Sequence, residues 1–136
     1  MLWQTTVLWQ RRIKKALDAF HISHAQFVIL AITLWFESKH QAVSQRLIIS
    51  QSKLDKMTVS QSLKKLVADG YIQRSEHKED TRAKMVCLTQ KGKKLASQLV
   101  PLVEVVDADF FKVIPKNGQK ILISLLNELV SKTLEN

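Results

Sequence analysis

At Gly70 the hydrophobic period of this chain changes from helical to alternating. Few arrangements accommodate that switch. Before it, Val59, Leu63, Leu66 and Val67 fall on one stripe of a helix expected over 56–69. Asp55 stands in front of that helix as an N-cap, and Gly70 ends it as glycine does just past a helix C-terminus. Beyond Gly70, Tyr71–His77 and Ala83–Leu88 alternate and read as two short strands around the charged hairpin loop 78–82. Upstream, Ser44 caps a short helix to about Ser50, and a break follows at 51–54. A short helix, a tight turn, a longer helix and a hairpin together make a winged helix-turn-helix.

The flanks are helical. Only three Gly and two Pro occur in 136 residues, so few positions favour a break. Leu2–Phe20 places Val7, Ile13, Leu17 and Phe20 at helical spacing, with Arg11, Arg12, Lys14 and Lys15 between them. Ser23 caps the next helix, about Ala25–Glu37, which is apolar almost all round and belongs at the centre of a core. Thr89 caps a helix reaching about Phe111, which Pro101 is expected to kink or split. Residues 115–118 read as a turn, and Gln119–Thr133 as a last amphipathic helix with Ile121, Leu122, Leu125, Leu126 and Leu129. The expected class is α+β and mostly helical, in the order α-α-α-α-β-β-α-α. The length suits one domain over 1–136.

Charge separates the chain into regions with different tasks. Lys and Arg number 21 against 12 Asp and Glu, for a net +9. The excess is +4 over residues 1–50 and +6 over 51–94, whereas 95–136 carries −1. A basic middle suits a polyanion, either nucleic acid or an acidic membrane surface, although simple solubility gives the same balance. The longest apolar stretch, Ala25–Phe36, is interrupted by Gln26 and Thr33 and is too short to span a bilayer. Met1–Gln10 lacks the pattern of a secretory leader, and the lone Cys87 cannot form an internal disulfide. The expectation is a cytoplasmic protein with no membrane partner.

The helix over 56–69 has two faces. Opposite the apolar stripe lie Met57, Ser60, Gln61 and Lys64, flanked by Lys56, Thr58 and Lys65. Ser and Gln can hydrogen-bond base edges, Met and the Thr methyl can meet thymine methyls, and Lys can reach phosphate or guanine. The helix N-terminus offers further N–H donors to a phosphate. Around the hairpin stand Arg74, Lys78, Arg82 and Lys84, a basic tip able to enter a minor groove. An ordinary solvated helix face would look similar, but the short helix before it and the wing after it favour double-stranded DNA.

The run Asp55-Lys56-Met57-Thr58-Val59-Ser60, then Asp69-Gly70-Tyr71-Ile72-Gln73-Arg74, then Asp80-Thr81-Arg82 and Leu88-Thr89-Gln90-Lys91-Gly92 resembles the MarR family of bacterial regulators. The match is strong over about 43–92, and Ser23-His24-Ala25-Gln26-Phe27 extends it. The resemblance implies a homodimer whose terminal helices, about 2–20 and 95–133, intertwine, and whose two winged lobes, about 43–92, read a pseudo-palindromic operator. It also implies repression, and DNA release on binding a small aromatic or phenolic effector. The family's crevice for such an effector would fall near His21 and His24. One departure lies within the motif: Leu47-Ile48-Ile49 stands where the family carries Glu-Leu-Ala, and the bulkier residues are expected to alter the spacing of the two motif helices.

Other signals are weaker. Cys87 has no resolving partner and reads as an incidental thiol. His21 with His24, and Glu37 with His40, have helical spacing but no accompanying cluster, so no metal or cofactor is expected. Trp3, Trp9, Phe20, Phe27 and Trp35 could line a crevice but suit core and interface better. No catalytic constellation is present, and no enzyme is expected. The alternative function is a winged-helix protein-interaction module whose basic face binds an acidic partner.

Overall fold

The computed structural model describes residues 1–76 and 84–133. In chain order they form α1 (Leu2–Asp18), α2 (His24–Ser38), β1 (Val43–Ser44), α3 (Gln45–Ser52), α4 (Lys56–Ala68), β2 (Ile72–Glu76), β3 (Lys84–Leu88), α5 (Gln90–Phe111) and α6 (Lys116–Thr133). This is the expected α+β order with one addition, β1. The sheet is antiparallel, ordered β1-β3-β2, so β3 is central. Val43 pairs with Val86 and Ser44 with Met85, while Ile72 to Glu76 pair with Leu88 to Lys84.

The helix starts follow the local chemistry of the sequence. Ser23 accepts a hydrogen bond from the Gln26 N–H, and the Gln26 side chain accepts one from the Ser23 N–H, completing a capping box. Ser44, Asp55 and Thr89 accept from the N–H groups of Leu47, Thr58 and Gly92 at the starts of α3, α4 and α5. At the end of α4, Gly70 takes φ +82°. The Tyr71 N–H then reaches the Leu66 carbonyl at 2.9 Å and the Gly70 N–H the Val67 carbonyl at 3.1 Å, a Schellman closure.

α2 forms the spine of the lobe, packing on α4, α5, α3, β3 and α1. Its Ile29, Leu30 and Thr33 are fully buried, and the Thr33 hydroxyl is satisfied by the Ile29 carbonyl at 2.7 Å. Around them close Ile13 and Leu17 of α1, Ile48 of α3, Val59, Leu63 and Leu66 of α4, Ile72 and Val86 of the sheet, and Leu99 of α5.

Three readings are corrected. Val67, placed on the buried stripe of α4, is 38% exposed, because the inward stripe ends at Leu66 as the helix closes. Pro101 does not split α5, which runs as one 22-residue helix. Residues 116–118 belong to the first turn of α6, whose first helical bond joins the Gln119 N–H to the Pro115 carbonyl at 2.9 Å. The Leu47-Ile48-Ile49 departure is accommodated by directing Ile48 into the core and leaving Leu47 and Ile49 half-buried. Among the described residues no helix is long and apolar enough to cross a membrane, and no three metal-ligating side chains cluster.

Candidate nucleic-acid interface

α4 shows two faces, as its sequence requires. Val59, Leu63 and Leu66 have no exposed surface, while Lys56, Met57, Gln61 and Lys64 are exposed and Thr58 and Ser60 half-buried. Met57 is 69% exposed, free to meet a partner on the outward side of the helix. The structure therefore brings Lys56, Met57, Gln61 and Lys64 to the surface of one helix, with Thr58 and Ser60 partly covered beside them. Lys65 is tied down by an ion pair with Asp69 at 3.2 Å.

At the N-terminus of α4, Asp55 caps the helix as expected. One Asp55 oxygen accepts from the Thr58 N–H and the other from the Thr58 hydroxyl, each at 2.8 Å. These bonds, the backbone N–H first, hold the Asp55 carboxyl below its ordinary range. A carboxylate thus takes the Thr58 N–H, one of the donors of the first turn. Thr58 retains its methyl for contact. Arg46 on α3 and Lys53 in the following turn, which the sequence reading did not single out, are both exposed cations beside α4. Their position in the helix-turn-helix was the signal that could have marked them.

On the wing, Lys84 is exposed at the start of β3. Arg74 lies opposite Val86, on the same side of β2 as the buried Ile72, and is half-buried. Its Nε and one terminal nitrogen are buried without a hydrogen-bond partner among the described residues. Arg74 is thus placed on the inward face of the wing, apart from the outward α4 residues. Lys78 and Arg82 lie outside the described residues. Cys87 is exposed on the outward side, its Sγ 3.9 Å from Gln73 Oε1.

α4 is fastened to α5 by a compact joint. The Thr89 hydroxyl donates to the Gly70 carbonyl at 2.6 Å, and the Thr89 N–H to the Tyr71 carbonyl at 3.0 Å. Lys91 donates to the Asp69 carbonyl at 2.8 Å, and its ammonium lies 4.6 Å from the centre of the Tyr71 ring. A Cβ added at Gly92 would stand 1.9 Å from the Tyr71 carbonyl oxygen, so the two backbones touch there.

His21 and His24 line an open cleft of about 710 Å³ between α1 and the start of α2, together with Arg11, Lys14, Asp18 and Gln26. The aromatic lining considered for such a crevice is absent from it. Trp9 instead stands beside the cleft, edge-on to His24 at 5.6 Å, and its indole N–H donates to Asp107 of α5 at 2.6 Å. Half-burial pushes the His24 pKa below 6.5, while Asp107 pulls it back up. A lowered histidine pKa means that the unfolded chain binds the proton more tightly. His24 therefore contributes stability that is intact above pH 6.5 and is lost as the pH falls through its folded value. The thermal midpoint is expected to decline between pH 7 and 5.5, with a shallower decline in His24→Gln. Equal slopes in the two proteins would remove His24 as the cause.

A sequence profile of the ArnR1-like winged-helix domain matches residues 18–106. The uncharacterized HTH-type transcriptional regulator YdcH of Bacillus subtilis is 34% identical over 130 residues, covering 96% of this chain and 87% of the relative. The crystal structure of a mutant MarR from E. coli complexed with operator DNA superposes with a TM-score of 0.81 at 20% identity, over 94% of this chain and 89% of that one. The chain belongs to the MarR family of winged helix-turn-helix transcriptional regulators. Bordetella bronchiseptica BpsR, whose DNA binding is regulated by 6-hydroxynicotinic acid, shares the fold with a TM-score of 0.84 at 22% identity, over 95% and 89% of the two chains. Membership of the MarR family does not favour the protein-interaction module. It also gives the Leu88-Thr89-Gln90-Lys91-Gly92 motif a physical meaning: Thr89, Lys91 and Gly92 form the joint that sets α5 against the end of α4.

Proposed function

We propose that this MarR-family chain is a homodimeric repressor that reads a pseudo-palindromic operator in double-stranded DNA. The observation that carries the reading is α4, whose Met57, Gln61, Lys56 and Lys64 project outward from a helix held by three fully buried residues. In the major groove, Ser60 and Gln61 would meet base edges, Met57 and Thr58 thymine methyls, and Lys56 and Lys64 phosphate or guanine. Lys84, Lys78 and Arg82 would bring the wing to the neighbouring backbone and minor groove, with Arg74 supporting the wing from within. Residues 43–92 would be the reading lobe, and the helices within 2–20 and 95–133 would join two copies. The cleft beside His21 and His24 would take a small aromatic or phenolic effector that modulates binding. BpsR, whose DNA binding is regulated by 6-hydroxynicotinic acid, has the same fold. A cytoplasmic location and the absence of enzymatic activity belong to the same proposal.

The test is fluorescence anisotropy on a duplex that the intact protein selects from a random-sequence library. Log affinity is expected to fall linearly with log salt, with a slope of several units, as phosphate contacts release counterions. Gln61→Ala is expected to lose about 1–3 kcal/mol of discrimination between the selected duplex and single-base variants at one position. A flat salt response overturns the DNA reading, and unchanged discrimination removes Gln61 from base contact.

A further inference from the structure

We propose that Glu37 is a positioning residue for the wing, acting through a backbone latch between α2 and the central strand β3. The proposal rests on the DNA-binding reading only for its consequence, since the latch itself is structural.

β1 covers β3 only at Met85 and Val86. Past that point β3 has no strand on the β1 side, and β2 supplies partners on the other side as far as Leu88. The Leu88 N–H is met instead by the Glu37 carboxylate, at 3.2 Å to Oε1 and 3.3 Å to Oε2. Glu37 thus stands in for the next residue of the missing strand. The N–H is shared between both carboxylate oxygens rather than directed at the single carbonyl a strand would offer.

The location of Glu37 opposes its charge. It lies in the last turn of α2, where unpaired carbonyls disfavour an anion, and no basic residue occupies that turn. Among the described residues no cation pairs with it, and the nearby Lys39 lies over the Trp35 ring, 5.6 Å from its centre. What holds the carboxylate there is the Leu88 N–H. α2 also packs on α4, so the latch fixes the base of the wing to the same helix that supports the major-groove element.

Without the carboxylate the wing can pivot at the end of β3 while the α4 face remains in place. The experiment compares the intact protein with Glu37→Ala and Glu37→Gln, the latter able to offer one carbonyl oxygen to the Leu88 N–H. Two readouts are taken: hydrogen exchange at the Leu88 amide, and affinity with footprint on the library-selected duplex. Glu37→Ala is expected to accelerate Leu88 exchange selectively and to weaken binding about tenfold. Protection should be lost at the outer, wing-facing positions while the central ones stay protected. Glu37→Gln should restore both readouts most of the way. Unchanged Leu88 exchange in Glu37→Ala overturns the latch. Accelerated exchange with an unaltered affinity and footprint overturns the positioning role, as does a uniform loss across the footprint that Glu37→Gln shares. An intact protein that selects no duplex defeats the DNA-binding reading instead, and the Leu88 exchange still decides the latch.

Discussion

Gly92→Ala is expected to be among the most destabilising single-methyl changes in this chain, costing upwards of about 3 kcal/mol and lowering the thermal midpoint by about 10 °C. The added Cβ would fall 1.9 Å from the Tyr71 carbonyl oxygen and 2.8 Å from the carbonyl carbon. Both atoms are backbone and cannot swing away. To admit the methyl, the start of α5 must move off the turn that ends α4. That movement breaks the Thr89 N–H bond to Tyr71 and the Thr89 hydroxyl bond to Gly70. The other two glycines are internal controls. At Gly70 an added Cβ would meet only the Lys91 side chain, at an ordinary 4.0 Å, but φ is +82°, so Ala there incurs backbone strain of about 1 kcal/mol. At Gly118 the nearest atom, at 2.9 Å, is Cγ2 of the half-buried Ile114, which must shift to admit the methyl, a cost set against the better helix propensity of Ala, worth about 1 kcal/mol. Thermal unfolding should therefore rank the variants with Gly92→Ala far below Gly70→Ala, and Gly118→Ala near the parent. A Gly92→Ala protein within a degree or two of Gly118→Ala would refute the close approach of α5 to Tyr71. The damage should reach function too, because this joint carries the orientation of α4 into α5.

The features legible in the sequence are those decided within a few residues. Ser23, Ser44, Asp55 and Thr89 were each read as caps, and each caps, because the bond runs to an N–H three residues on. Gly70 was legible for the same reason. The two-faced character of α4 followed from its period, except that Val67 lies past the point where the inward stripe ends. What escaped was non-local or too short to have a period. β1 has two residues, and only its partners Val86 and Met85, far along the chain, make it a strand. Glu37 has no sequence signature as a partner for Leu88, 51 residues away. Arg74 reads as one more basic residue until the pairing register turns it toward the core side of the wing. Pro115 to Gly118 carries turn composition, yet Pro115 can stand just before a helix because its missing N–H is not needed there.

Replacing Leu125 and Leu129 of α6 with Asp is expected to convert a dimer into monomers at micromolar concentration and to reduce operator affinity at least about 100-fold. The reason lies in what α6 fails to do within one protomer. It is an 18-residue helix with no buried residue. Ile121, Ile123, Leu125, Leu129 and Val130 are each 50–60% exposed, and Leu126 is 37% exposed. At the root of the helix a hollow of about 430 Å³ is lined by Phe111, Leu122 and Leu126. A short helix in water draws its stability from packing an apolar face, and among the described residues this one meets little beyond Phe111 at its root. A second copy would supply a partner face, and α1 offers more of the same surface in Leu2, Trp3, Val7 and Leu8. Burying one leucine contributes about 1.5–3 kcal/mol, and a two-fold interface holds each substituted position twice, so the double variant forfeits most of a typical association energy. The lobe around α2 shares no core residue with α6 and should stay folded, with amide protection at Ile29, Leu30 and Leu63 unchanged. Sedimentation velocity reads the outcome: a halved mass with an intact lobe supports the interface, whereas an unchanged mass places it elsewhere. Loss of operator affinity in the folded monomer would then show that two α4 helices must be held at a fixed spacing to read DNA together.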